Sequence, residues 1–400
     1  MRRSWLPISV LLLVGLSVQA QETDGADRAL ALRGFGTLGY VTSSNNNAEF
    51  LRDLSQPSGV GNAGGWQVDS ILGLQANFRA SESLEFAAQA VSHHRYDNSF
   101  TPELTWAFAK YDPNPRVSLR LGRIGTEFLM QSDSRAVGYS YLPVRPPVNF
   151  YGGVPINYGD GADVQLRLPL ADGVVKGSLY VGEAREQLPT YDVNGSPIHA
   201  VSLGYEKGPL QLRAIHAESN LSNSVAGLAT LRGQLGGMGA TVAASALDMK
   251  GTRSAYDSVG MSYDDGNWQL LAALIAVNHG TVLNENSSAA HVSVARRLGN
   301  VSPYIGYAWA KSSAKSLASG LSGPMAAAMD PVIADVLKRT HVDQQTTTLG
   351  LRWDFARNLD LKAQFDFVQG DASSTFLYNQ VQSGWDGRTT VFSLALDFVF

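Results

Sequence analysis

The chain has 400 residues, no cysteine, 40 glycines and only 16% charged side chains, with a formal net charge of -4. The missing cysteines exclude a disulfide framework, and the lack of a basic excess argues against nucleic acid as a partner. Mean hydropathy is -0.08, close to that of a water-borne protein, and beyond the N-terminus no segment is apolar enough for a transmembrane helix.

Arg2 and Arg3 precede an apolar run from Ile8 to Val18, and Val18-Gln19-Ala20 supplies a cleavage pattern. The run falls short of the roughly 20 apolar residues of a spanning helix, so residues 1–20 read as a secretory signal peptide. Its removal takes two arginines, moving the net charge from -4 to -6, and starts the mature chain near Gln21. Residues 21–400 read as a single domain.

From there the chain alternates apolar and polar residues in short runs, the period of a strand with two different faces. The first run is Ala31–Val41, followed by a long Asn-, Ser- and Gly-rich connection. Gly65–Phe78, Leu84–His94 and Glu103–Asp112 follow, and then Arg116–Arg123, with Val117, Leu119 and Leu121 on one face and Arg116, Ser118 and Arg120 on the other. A long, proline-bearing excursion, Ile124–Gly159, separates this run from Asp160–Pro169. The remaining runs are Val174–Glu183, Ile198–Lys207, Pro209–Glu218, Thr252–Asp264, Asn267–Asn278, Ser288–Arg297, Val301–Lys311, Gln344–Asp354, Leu359–Gln369 and Arg388–Phe400. Asp330–Arg339, with Ile333, Val336 and Leu337 on one face, reads as a short helix within a long connection.

Tight turns such as Asp264-Asp265-Gly266-Asn267 and Ala356-Arg357-Asn358 alternate with long connections. A soluble sandwich has no reason to sort its loops by parity, whereas a membrane barrel does. The last run settles the reading: Phe392, Leu394, Leu396, Phe398 and Phe400 share one face, while Thr389, Ser393, Ala395 and Asp397 share the other. The predicted fold is all-β, a transmembrane antiparallel β-barrel of about sixteen strands in contact with outer-membrane lipid, with a long loop after strand 5. Tyr40, Trp66, Trp106, Tyr111, Trp268, Trp309, Trp353 and Phe355 lie near strand ends, where aromatic girdles form.

With that layout the chain resembles the Gram-negative porins, the trimeric outer-membrane diffusion channels. Three features carry the resemblance: the terminal Phe398-Val399-Phe400, the LRLGR segment Leu119–Arg123, and the long connection directly after it. It implies export to the outer membrane, a homotrimer, no catalysed chemistry, and passive passage of small hydrophilic solutes and ions. By the same analogy residues 124–159 are a pore-constricting loop. Pro143, Pro146 and Pro147 depart from the general pattern, and an acidic cluster is absent there, which argues against strong cation selectivity.

On this reading the constriction is formed by Arg116, Arg120, Arg123, Glu127, Asp133, Arg135 and Arg145. The lumen carries Asp69, Glu85, Asp163, Arg167, Arg213, Arg297 and Arg352, with Asp360, Asp366 and Asp397 on the same phase. Opposed charges across a narrow aqueous bore create a transverse field and bias which ions enter. A channel selective for a small anion or organic acid is the alternative, followed by a barrel enzyme or adhesin.

Other signals carry less. Gly34-Phe35-Gly36-Thr37-Leu38-Gly39 matches a dinucleotide fingerprint, but a strand continues after it where a helix is required. His93 and His94 are adjacent on a strand and point apart, so they cannot grip one metal ion. No cofactor or metal is implied.

Overall fold

The computed structural model describes residues 29–400, except residues 155 and 376 and the side chain of Asp133. The expected signal peptide lies outside the described residues. Sixteen antiparallel strands close into a barrel. In chain order they begin β1 (Leu30–Ser43), β2 (Ile71–Arg79), β3 (Leu84–His93), β4 (Glu103–Asn114), β5 (Val117–Gly125), β6 (Tyr158–Leu170), β7 (Gly173–Ala184) and β8 (Pro197–Lys207). They continue with β9 (Leu210–Asn220), β10 (Arg253–Asp264), β11 (Trp268–His279), β12 (Asn286–Arg296), β13 (Val301–Ser313), β14 (Asp343–Ala356), β15 (Leu359–Gly370) and β16 (Arg388–Val399). Each pairs with its sequence neighbours, and β1 pairs with β16 to complete the ring, Phe35 opposite Val399 and Thr37 opposite Asp397.

Alternation decides which side chain meets which medium. Leu121 is 67% exposed and Leu203 61%, on the outer face, whereas their inward neighbours Arg120 and Ser202 are half-buried or buried. A lysine or arginine on the outer face at mid-bilayer costs about 2–4 kcal/mol, which keeps that phase apolar through the middle of most strands, the His216–Asp257 pair on β9 and β10 being an exception. Tyr111, Trp268, Trp353 and Phe355 are exposed near one end of the barrel, and Trp66 and Trp309 near the other. Trp106 departs from the expected girdle. It shares the inward phase of Phe108, beside which it sits, and the register shift between Gln89 and Ala90 instead turns Leu104 outward.

All the tight turns lie at one end of the barrel, here the turn end, and all the long connections at the other, the loop end. Positive φ values at Ala171 (52°), Gly266 (87°), Gly299 (66°) and Asn358 (63°) mark the tight reversals. The long connections are not slack. Glu49–Phe50 pairs with Tyr378–Asn379, tying the first excursion to the last. Four helices lie in the excursions: α1 (Val148–Tyr151), α2 (Ala229–Gly237), α3 (Thr241–Ala246) and α4 (Gly323–Lys338). The helix expected at Asp330–Arg339 begins earlier, because Met325-Ala326-Ala327-Ala328-Met329 is strongly helix-forming and Pro324 sits in the first turn. Helices α2 and α3 were not expected. Leu235, Leu247, Ile333 and Leu337 from these helices and their flanks pack with Phe128, Leu129 and Phe150 into one apolar core, which lines the loop half of the barrel.

Two further differences concern β2 and β1. The pattern placed the start of β2 at Gly65, but residues 65–70 turn inward, so Val68 is buried against Val41, Phe50 and Val391 instead of facing out. The glycines of the Gly34–Gly39 motif serve the seam. A Cβ on Gly34 would overlap the Phe400 ring, and one on Gly36 the Phe398 ring. Those two rings stack at 6.4 Å. Gly36→Leu should therefore destabilise closure by about 1–3 kcal/mol, the cost of overpacking, and reduce the fast-migrating folded band on unheated gels. An unchanged band would remove these glycines from the seam.

Candidate pore and its inserted loop

Residues 126–157, between β5 and β6, do not project away from the barrel; they fold across its bore. Polar and charged side chains of the C-terminal wall hold the far side of the loop. Lys362 on β15 is fully buried and donates to the carbonyls of Gly138 and Tyr141, each at 2.7 Å, while its ammonium lies 2.9 Å from Asp397. Arg352 on β14 donates to the Tyr139 carbonyl at 2.8 Å, stacks over the Tyr139 ring and pairs with buried Asp360 at 3.0 Å. The Gln364 side-chain carbonyl accepts the Val144 N–H at 2.9 Å. Arg145, 1% exposed, binds Asp69 and Ser393 and sits over the Phe50 ring.

Loop carbonyls have no strand partners, so wall cations satisfy them and wall carboxylates balance those cations. Gly138 allows the approach, since a Cβ there would overlap the Asp397 carboxylate and the Thr37 hydroxyl. Further along, Thr346 donates to the Asn149 side chain at 2.8 Å, and Phe150 meets the His291 ring edge-on at 4.7 Å.

The near side of the loop faces β5, β9 and β10. Ser258 donates to the Phe128 carbonyl at 3.1 Å, and Phe128 stacks on Tyr256. Glu127 accepts from Arg213 and lies 3.5 Å from Arg120. Arg120 in turn donates through Nε to both Asp163 oxygens, at 2.9 and 3.0 Å. The loop thus divides the bore into two chambers. The turn-end chamber, of about 820 Å³, is charged, with Lys110, Arg167, Lys176, Arg213, Glu127 and Glu206 in its wall. The loop-end chamber, of about 980 Å³, is walled mainly by apolar side chains.

The expected site residues separate into four groups. Arg120, Glu127, Asp163 and Arg213 come together as one inward cluster. Arg116 and Arg167 are exposed at the turn-end mouth, with Glu85 (accepting from Asn77 at 2.5 Å) and Arg297 (2.6 Å from Asp264) near the same end. Arg145, Asp69 and Arg352 are loop anchors, buried instead of presented to an open bore, because each is matched to an opposite charge or a loop carbonyl. Arg135 ties the loop to the first excursion through Asp53 at 3.3 Å and braces the loop internally through Asn157 at 2.9 Å.

Arg123 does not belong to the constriction. It shares the outward phase of Leu119 and Leu121 and pairs with Asp160 at 2.7 Å at the loop end of the barrel, where an outward charge costs only about 0–1 kcal/mol. Asp133 lies in a one-turn 3-10 segment, Ser132–Ser134, and its side chain is outside the described residues. Lys362 is the anchor that reading the sequence missed. Its signal was the polar inward series Lys362, Gln364, Asp366, which a wall facing only water does not require.

At the returning end of the loop, Glu186 accepts from the Asn157 backbone N–H at 2.5 Å and its side-chain amide at 2.6 Å. Burial pushes its carboxyl up to about 8. The folded pKa lies above the ordinary value, so this group's contribution to stability is fully present below about pH 4.5 and is lost as pH rises towards 8. Amide exchange at Thr126 and Asn157 should accelerate between pH 6 and 8 after correction for intrinsic rates, and Glu186→Gln should flatten that profile. An unchanged profile in Glu186→Gln would assign the effect to another group.

No family model and no curated protein matches the sequence. Solved structures do match the fold. OmpF of Salmonella typhi, in complex with daunomycin, aligns with a TM-score of 0.57 at 13% identity, covering 93% of this chain and 97% of that one. An anion-selective porin from Comamonas acidovorans aligns at 0.54 and 13%, covering 93% and 99%. The trimer form of OmpT, an outer membrane protein of Vibrio cholerae, aligns at 0.52 and 14%, covering 93% and 100%. The closed ring of sixteen antiparallel strands is thus the fold of the outer-membrane porins.

Proposed function

We propose that the chain is an outer-membrane channel for passive passage of small hydrophilic solutes and ions, with its loop end at the cell exterior and its turn end in the periplasm. The observation that carries this reading is the inserted loop: a closed barrel whose bore is crossed by a segment pinned through Lys362, Arg352 and Arg145 is built to narrow a passage. Residues 126–157, the part of the expected 124–159 segment that leaves the strands, act as the constriction, and Arg120, Glu127, Asp163 and Arg213 set its charge. The trimer form among the similar folds supports a homotrimer, to be checked by native mass spectrometry.

Selectivity for a small anion or organic acid is the second reading, favoured by Lys110, Arg167, Lys176 and Arg213 along the turn-end chamber. His216, which contacts Asp257 at 2.6 Å and Glu218 at 2.9 Å, lies on the outward phase with no hydroxyl nucleophile among those partners and lends a barrel enzyme no support. Liposome swelling with sugars, amino acids and dicarboxylates tests the proposal. Uptake rates falling with solute size indicate the general pore, saturable uptake of one anion indicates the selective one, and no uptake of any solute overturns both.

A further inference from the structure

The two chambers differ in chemistry, and a passage for hydrophilic solutes gains nothing from an apolar one. The loop-end chamber is built from Phe150, Tyr191, Leu221, Tyr256, Val277 and Val336, which converge from the inserted loop, three other excursions and two strands. Its volume, about 980 Å³, matches the upper range of small-molecule pockets, which are mostly apolar with a few convergent polar groups. Among the polar groups of its wall, Ser254 and His279 lie 2.8 Å apart on the inward phases of β10 and β11, with Glu285 in the same wall, and Gln56, Asn149, Asp335, Lys338 and Arg339 also line it. Phe150, Leu221, Tyr256, Val277 and Val336 are all buried members of the apolar core, so what the chamber offers a guest is the uncovered part of a packed apolar wall.

We propose that the loop-end chamber is a binding site for largely apolar organic molecules of aromatic or alicyclic type, each bearing a single hydrogen-bonding group that meets Ser254 and His279. The ligand enters from the loop end and is held above the inserted loop. The two chambers share no wall residue, and the loop supplies Phe150 to one and Glu127 to the other. The site therefore concentrates weakly soluble molecules at the entrance of the passage proposed above. Transit rests on that channel reading, whereas binding does not.

The test uses the full-length protein in lipid nanodiscs with 2-naphthol as probe and mannitol as the polar control. Calorimetry should show saturable 2-naphthol binding above lipid partition, with no effect of mannitol. Tyr191→Ser and Val336→Gln, each checked for folding by heat-dependent gel mobility, should each weaken binding at least tenfold. In planar bilayers, 2-naphthol should interrupt current when added on the loop side and much less when added on the turn side. Binding without conductance would support this site and sink the channel reading. Conductance without saturable binding, displacement by mannitol, or full affinity in both variants would overturn the site and leave the channel reading standing.

Discussion

Arg145→Leu should release the inserted loop from the barrel wall, with the largest loss of stability of any single substitution considered. Arg145 and Asp69 are both fully shielded from solvent, with Asp366 3.6 Å from the guanidinium. Removing one partner of a buried pair costs about 3–5 kcal/mol when the other charge is left uncompensated; here Asp69 keeps only its longer contact with Arg52, at 3.8 Å, so the loss should fall towards the lower end of that range. The unfolding temperature, read as the midpoint of the gel mobility shift, should fall. Single-channel conductance should rise and fluctuate as the loop leaves the wall. The double variant Arg145→Leu/Asp69→Leu separates two causes, because deleting both charges recovers much of the stability without restoring the bond to Ser393. Unchanged melting and conductance in Arg145→Leu would show that the loop is held by its other anchors alone.

The second large effect concerns ion preference. Arg120 and Arg213 flank Glu127 where the loop meets the charged chamber. Neutralising both as glutamines leaves Glu127 and Asp163 facing the passage. Two unit charges about 4 Å apart interact by about 1 kcal/mol even in bulk water, a factor of about five in the local ion ratio for each charge removed. Reversal potentials in a salt gradient should move towards cations for each single variant and further for the double. The shift should shrink at high ionic strength, where screening shortens the reach of fixed charge. A reversal potential indifferent to both substitutions would move the selectivity zone elsewhere in the bore.

The barrel was legible in the sequence because lipid enforces a rule at every second residue. Leu119 and Leu121 cannot exchange places with Arg120 without placing a guanidinium in hydrocarbon, so the phase of β5 is plain from composition alone. That rule weakens where the medium changes. Val68 obeys the alternation yet is buried beneath a loop, and Arg123 breaks it at the loop end of its strand, where headgroups and water tolerate charge. Phase alone would have placed Arg123 outward.

The inward phase was readable as polar, but not by its role. A lumen arginine and a loop-anchoring arginine look alike in sequence, and only the fold separates Arg213, which meets Glu127, from Arg352, which meets backbone carbonyls. The apolar cap was least visible. Leu228, Leu231 and Leu235 follow helical spacing, but Gly233, Gly236 and Gly237 interrupt it, and the helix is stable only against partners distant in sequence.

The seam between β1 and β16 joins Thr37 to Asp397, 360 positions apart. Until the two ends meet, each strand presents a full row of unsatisfied amide groups that would accept a foreign strand as readily as the native one. The entropy of bringing them together must be met before any seam bond forms. An unclosed arc therefore carries two open rims, and at each of them pairing with a foreign strand competes with the seam until Thr37 and Asp397 meet.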